Sequence, residues 1–186
     1  GKAFEVLPGI ELRYRDAGHI LGSASVWLKL REGTLERQLV FSGDLGQYDS
    51  PILRDPELGK EPVDLVLMES TYGARQHRER EDTLREFGEV LRHASTDGGN
   101  VLIPAFAVGR SQEILYQLGT HFDAWGLEDW EVFLDSPMAI AASEVYWKHS
   151  NLYDEEAREL KASGGSMPPL PNQQLCRTVD LSIALN

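Results

Sequence analysis

Apolar and polar positions alternate with a period of two through the first third of the chain. In "SVWLKL" (25–30) Val26, Leu28 and Leu30 alternate with Trp27 and Lys29. "REGTLER" then supplies a polar turn containing Gly33, and "QLVF" (38–41) returns. This pattern predicts a hairpin. In an antiparallel pair the start of one strand and the end of the next share an edge of the sheet. His19, before the first strand, and Asp44 in "FSGDLG", after the second, are thereby predicted at one edge. Each has a glycine neighbour, where a backbone turns sharply and approaches a ligand closely.

From residue 63 the period changes. "VDLVLME" (63–69) reads as a continuous apolar strand and "NVLIPAF" (100–106) as a second, with "EVFLD" (131–135) as a third. Between them, "TLREFGEVLRHA" (83–94) repeats Leu84, Phe87, Leu91 and Ala94 at helical spacing. "SQEILYQLGTHF" (111–122) gathers Ile114, Leu115, Leu118 and Phe122 on one face. Ser136 and Pro137 are predicted as the N-cap and first position of a helix running to about Tyr146. "GGSMPPLPN" (164–172) reads as loop. Strands alternating with helices imply parallel βαβ units with buried strands. The expected architecture is α/β, a sheet-rich N-terminal part joined to a doubly wound part.

Composition adds limits. The 186 residues can bury a real core. Apolar residues are 41% and charged residues 26% of the chain, ordinary for a globular protein, and no run nears the roughly 20 apolar residues that span a bilayer. No leader pattern is visible, and a single Cys176 excludes an internal disulfide and a cysteine-based zinc cluster, which suits a reducing, cytoplasmic setting. The formal net charge is -12, against a general nucleic-acid binder but compatible with a nuclease whose contacts are local. "YGARQHRER" (72–80) is the most cationic stretch, and reads first as the solvated start of a helix.

In open parallel sheets, ligands collect beyond the carboxyl ends of the strands. Those ends carry Glu69 with "STYG", then "AFAVGR", then "DSPMA". Taken in order, "AGHILGSA", "FSGDLG", "LMESTYG", "IPAFAVGRSQE" and "LDSPMA" resemble the RNA-processing β-CASP branch of the metallo-β-lactamase superfamily, from about residue 10 to the last residue. That branch includes the endonuclease of the cleavage and polyadenylation specificity factor and its prokaryotic relatives. The resemblance implies a partial metallo-β-lactamase αββα sheet over 1–73, joined to a β-CASP domain with a parallel, Rossmann-like sheet over 74–186.

It also implies chemistry. His19 takes the position of a zinc ligand and Asp44 that of the carboxylate bridging two zinc ions. Glu69 takes the position of the acid that tunes a later histidine near the leaving group. Arg110 is the candidate phosphate contact in the β-CASP segment. Such a pair of metals, about 3.5 to 4 Å apart, generates hydroxide near neutral pH and stabilises charge developing on a phosphodiester. The implied activity is zinc-dependent hydrolysis of RNA in processing or decay. Glu69, in place of the aspartate usual in the DNA-repair branch, favours RNA as the partner; homo-oligomerisation is left open.

The chain departs from the family pattern in lacking the early H-x-H-x-D-H motif and the late histidine motifs. His77, His93, His121 and His149 do not reproduce the spacing and read as solvated or helix-capping residues. What is expected is a central piece of a longer enzyme, which by itself binds zinc weakly and cleaves RNA poorly. Two alternatives share the fold: a non-catalytic RNA-processing scaffold, against which intact His19, Asp44 and Glu69 argue, and a DNA-repair nuclease. A small-molecule hydrolase fits the metal positions but leaves the long α/β insertion without a purpose.

Overall fold

A computed structural model describes residues 1–163 and 167–185. Residues 164–166 of the expected loop lie outside the described residues. The chain divides into two compact units, one of Gly1–Ala74 with Leu152–Glu156, the other of Arg75–Asn151 with Ala157–Asn186.

The first unit is built on a five-stranded sheet in sequential order: β1 (Phe4–Leu7), β2 (Ile10–Asp16), β3 (Ala24–Glu32), β4 (Leu35–Phe41) and β5 (Leu65–Leu67). The first four strands are antiparallel neighbours, and β5 pairs with β4 in parallel. Register explains the alternation. Leu12, Leu28, Leu39 and Leu65 are successive cross-strand partners, as are Tyr14, Val26, Phe41 and Leu67. Directly opposed residues share a face, so one face of the sheet is apolar. The other carries Glu11, Lys29 and Gln38 in one row and Arg13, Trp27 and Val40 in the next.

The predicted hairpin is present with a tighter turn than expected. Glu32 pairs with Leu35, so only Gly33 and Thr34 connect β3 and β4, and most of "REGTLER" is strand. Gly33 has a φ of 58°, which a two-residue hairpin turn asks for and glycine supplies without strain. A second correction concerns 63–69. Its strand closes this first sheet as an edge, and Leu65 and Val66 are each 50% exposed where a buried strand was expected.

Near the other end of this unit, Leu53 and Tyr153 form a bridge, and Asp154 N–H donates to Ile52 O at 2.8 Å. Ile52 and Tyr153 are both fully enclosed, so the returning segment 152–156 is packed into this unit by its side chains as well as its backbone.

The second unit contains α1 (Arg80–Asp97), α2 (Arg110–Thr120), α3 (Phe122–Trp125), β6 (Val132–Leu134), α4 (Pro137–Lys148), most of α5 (Glu155–Ala162), β7 (Gln173–Leu175) and α6 (Val179–Ile183). Its core gathers Leu91, Leu115, Leu118, Trp125, Leu127 and Leu170. Phe87 meets Trp125 edge-on with ring centroids 5.1 Å apart. Gly88 lies beneath the same indole, and a Cβ there would come within 2.5 Å of Trp125 Nε1. Glycine inside a helix costs about 1 kcal/mol relative to alanine, and here close helix-to-indole packing is what it permits.

Ser136 caps α4 as predicted, its Oγ accepting from Ala139 N–H at 3.2 Å, with Pro137 in the first turn. The expected strand at 100–106 is absent: these residues pair with no strand among the described residues, and Leu102 is 92% exposed. A strand exists only through its ladder, whatever its side chains prefer. β6 pairs instead with β7, in parallel, which "QQL" does not announce because it has no apolar alternation.

Candidate functional site

Three strand ends of the first unit meet at one edge of its sheet. The chain leaves β2 through Ala17, which is fully buried, and turns at Gly18 with φ 67°. Ser23 closes this turn: its Oγ accepts from the N–H groups of His19 (3.0 Å) and Ile20 (3.2 Å), and its carbonyl accepts from Ala17 N–H at 3.1 Å. Backbone donors that would otherwise be unsatisfied are thus tied down, and His19 is held on an exposed but defined turn.

The segment after β4 packs directly on that turn. Gly46 N–H donates to Ala17 O at 2.8 Å. A Cβ on Gly46 would overlap the carbonyl oxygen of Gly18 and crowd the His19 nitrogen at 2.8 Å. Asp44, exposed, sits two residues before this contact. The expectation that His19 and Asp44 share an edge is therefore met in the backbone.

Glu69 follows β5 and is fastened to the same segment. Its N–H donates to Ser42 Oγ at 3.0 Å, its Oε1 accepts from Leu45 N–H at 3.0 Å, and its Oε2 accepts from Thr71 N–H at 3.2 Å. The Leu45 N–H, followed by Thr71 and then the positive field of His19, holds the Glu69 carboxyl below its ordinary value. Hydrogen bonds to the ionised form are the main cause. Glu69 is half-buried and is the group that links the edge together.

Ser23 and Ser42 carry much of this geometry and are not among the residues singled out by pattern. The available signal is their place beside a glycine in "LGS" and "FSG", where a hydroxyl commonly bonds a nearby backbone group.

His19 and Asp44 offer one imidazole and one carboxylate, a donor pair suited to zinc. Among the described residues no three His, Cys, Asp or Glu side chains gather as a metal site, whereas even a catalytic zinc has three protein ligands. Among the described residues these two candidate donors do not make a complete metal centre.

Arg110 lies in the second unit at the start of α2, 60% exposed, with its guanidinium on Glu113 at 2.6 Å. Arg80 reaches the same carboxylate at 3.4 Å. Three of the remaining histidines behave as read from sequence. His93 pairs with Asp97 one turn on at 3.4 Å. His121 ends α2 and stacks on Trp125 with centroids 4.5 Å apart, and His149 ends α4. His77 precedes α1 outside regular structure.

Residues 111–185 match the family model described as the Beta-Casp domain. That match is consistent with a fragment of a β-CASP metallo-β-lactamase protein. It is 45% identical over 152 residues to "Ribonuclease TTHA0252" of Thermus thermophilus, which takes in 82% of this chain and 34% of that protein. It is 30% identical over 163 residues to "RNase J-like protein" of Methanocaldococcus jannaschii, 84% of this chain and 36% of that protein. A third relative, "Transcription termination factor FttA" of Lokiarchaeum sp., is 29% identical over 170 residues, 90% of this chain and 26% of that protein. The chain spans about a third or less of the length of these relatives. Proteins of this group generally use metal ions. No helix among the described residues is long and apolar enough to cross a membrane.

Proposed function

We propose that the chain forms part of a metal-dependent ribonuclease that hydrolyses phosphodiester bonds of RNA in processing or decay. The observation that carries the reading is the edge where the His19 turn, the Asp44 segment and Glu69 are fastened to one another, in a chain 45% identical to a protein named a ribonuclease. In this reading residues 1–73 belong to the metallo-β-lactamase domain and 74–186 to the β-CASP domain. His19 and Asp44 are donors to zinc, with further donors supplied from outside these residues, and the protein works in the cytoplasm. Glu69 stays ionised and can only accept, so it orients an imidazole by taking its N–H and favours that ring's protonated form. Arg110 faces a phosphate of the substrate.

The scaffold reading is disfavoured because a non-catalytic relative has no need to keep imidazole and both carboxylates on one edge. The test is substrate preference in the protein that carries these residues. Single-stranded RNA is expected to be cut, in a chelator-sensitive reaction, and DNA of the same sequence to be cut much more slowly. Equal cutting of both, or none of RNA, contradicts the proposal.

A further inference from the structure

The loop before α2 presents apolar side chains to solvent from a backbone that is fixed beneath them. Phe106 is 84% exposed, Val108 41%, and Met138 in the first turn of α4 69%. Under them sits Gln112, with no exposed surface. Its Oε1 accepts from Gly109 N–H at 2.7 Å, and its amide nitrogen lies 3.1 Å from Ala107 O, 3.3 Å from Ala139 O and 2.9 Å from Ser143 Oγ. One amide thus reaches the carbonyls of Ala107 and Ala139, the residues after Phe106 and Met138, and ties the loop to the first turn of α4. Ser111 pins the loop again, its N–H and Oγ both donating to Phe106 O at 3.3 and 2.8 Å.

A single exposed apolar side chain is ordinary. An exposed phenyl ring on a loop held by a buried, fully engaged glutamine is less so, because the ordering cost of a contact is already met before any ligand arrives. Arg110 at the end of the same loop and Arg80 at the start of α1 bring two guanidiniums to one carboxylate, Glu113. An aromatic face with an arginine at the end of its loop matches single-stranded nucleic acid, whose bases stack on aromatic rings while its phosphates seek Arg and Lys. In a chain of net charge -12 such a local arrangement is what a polyanion requires.

We propose that Phe106 is a stacking platform for an unpaired base of single-stranded RNA. This rests on the RNA reading above and adds a base contact to it. The test measures binding of a fluorescent single-stranded oligoribonucleotide to this chain at low salt, by anisotropy, for the unsubstituted form and for Phe106→Ala, Phe106→Leu and Phe106→Trp. Phe106→Ala and Phe106→Leu are each expected to weaken binding about tenfold, and Phe106→Trp to retain it, in line with the usual effect of losing one stacked base. An oligonucleotide carrying 5-iodouridine is expected to crosslink at residue 106. If the unsubstituted chain binds RNA and Phe106→Ala binds equally well, the platform is overturned while the RNA reading stands. Binding retained by Phe106→Leu overturns stacking in the same way. No RNA binding by the unsubstituted chain defeats both.

Discussion

Glu69 is a carboxylate whose two oxygens each take a backbone N–H, from Leu45 and Thr71. Those bonds, with the field of His19 behind them, depress its pKa from the ordinary 4.5. The sign follows from linkage: the stabilisation is complete above the unfolded value and is lost as pH falls through the lower folded value. The carboxyl carbon of Glu69, followed by NMR, should titrate below pH 4.5, and Glu69→Gln should flatten the acid limb of the stability profile. A midpoint at or above the ordinary value would contradict the bonding described. Gly46 makes a second residue-scale prediction. Its missing Cβ leaves room for the Gly18 carbonyl, so Gly46→Ala should cost about 1–3 kcal/mol in denaturant unfolding, as overpacking does. It should also shift the amide signals of Gly18 and His19; an unchanged midpoint and spectrum would contradict the contact. His19 and Asp44 could be placed at one edge from hairpin logic because strand ends obey simple geometry. Ser23 and Ser42 could not, since a serine beside a glycine is common and only the folded turn shows which backbone groups it receives.

At the scale of elements, helices were the more readable part. α1, α2 and α4 follow from apolar spacing and capping, because their hydrogen bonds are internal and need no distant partner. Ser136→Ala should remove the bond to Ala139 N–H and destabilise the second unit by about 1 kcal/mol, measured by chemical denaturation; Ser136→Asp should restore it. Strands were less readable for the converse reason. The segment 100–106 has a strand's composition but no ladder among the described residues, while β7 pairs with β6 despite its polar sequence. Pairing is a property of two segments, and one segment's pattern does not contain it. The same limit explains β5, whose apolar run reads as buried and which forms a half-exposed edge.

At the scale of the whole molecule, the chain combines a sheet that positions acid and imidazole groups with a second unit that holds most of the Beta-Casp match. The acidic balance of the chain argues against binding by bulk charge, so the proposed function puts the burden on specific groups: the edge of the first unit for chemistry, the Gln112-braced loop for recognition. The family resemblance was legible because five distinct motifs stand in a fixed order along the sequence. The shortage of metal donors was legible as well, because the early H-x-H-x-D-H and late histidine motifs are missing from these residues and leave His19 and Asp44 as two candidate donors. In the proposed function RNA is cut at this edge. This is tested most directly by the initial rate of single-stranded RNA cleavage for the protein that carries these residues and for its Asp44→Ala form, both confirmed folded. A loss of about a hundredfold or more is expected, the magnitude on which electrostatic groups at a reacting centre act; equal rates for the two forms would overturn the proposed function.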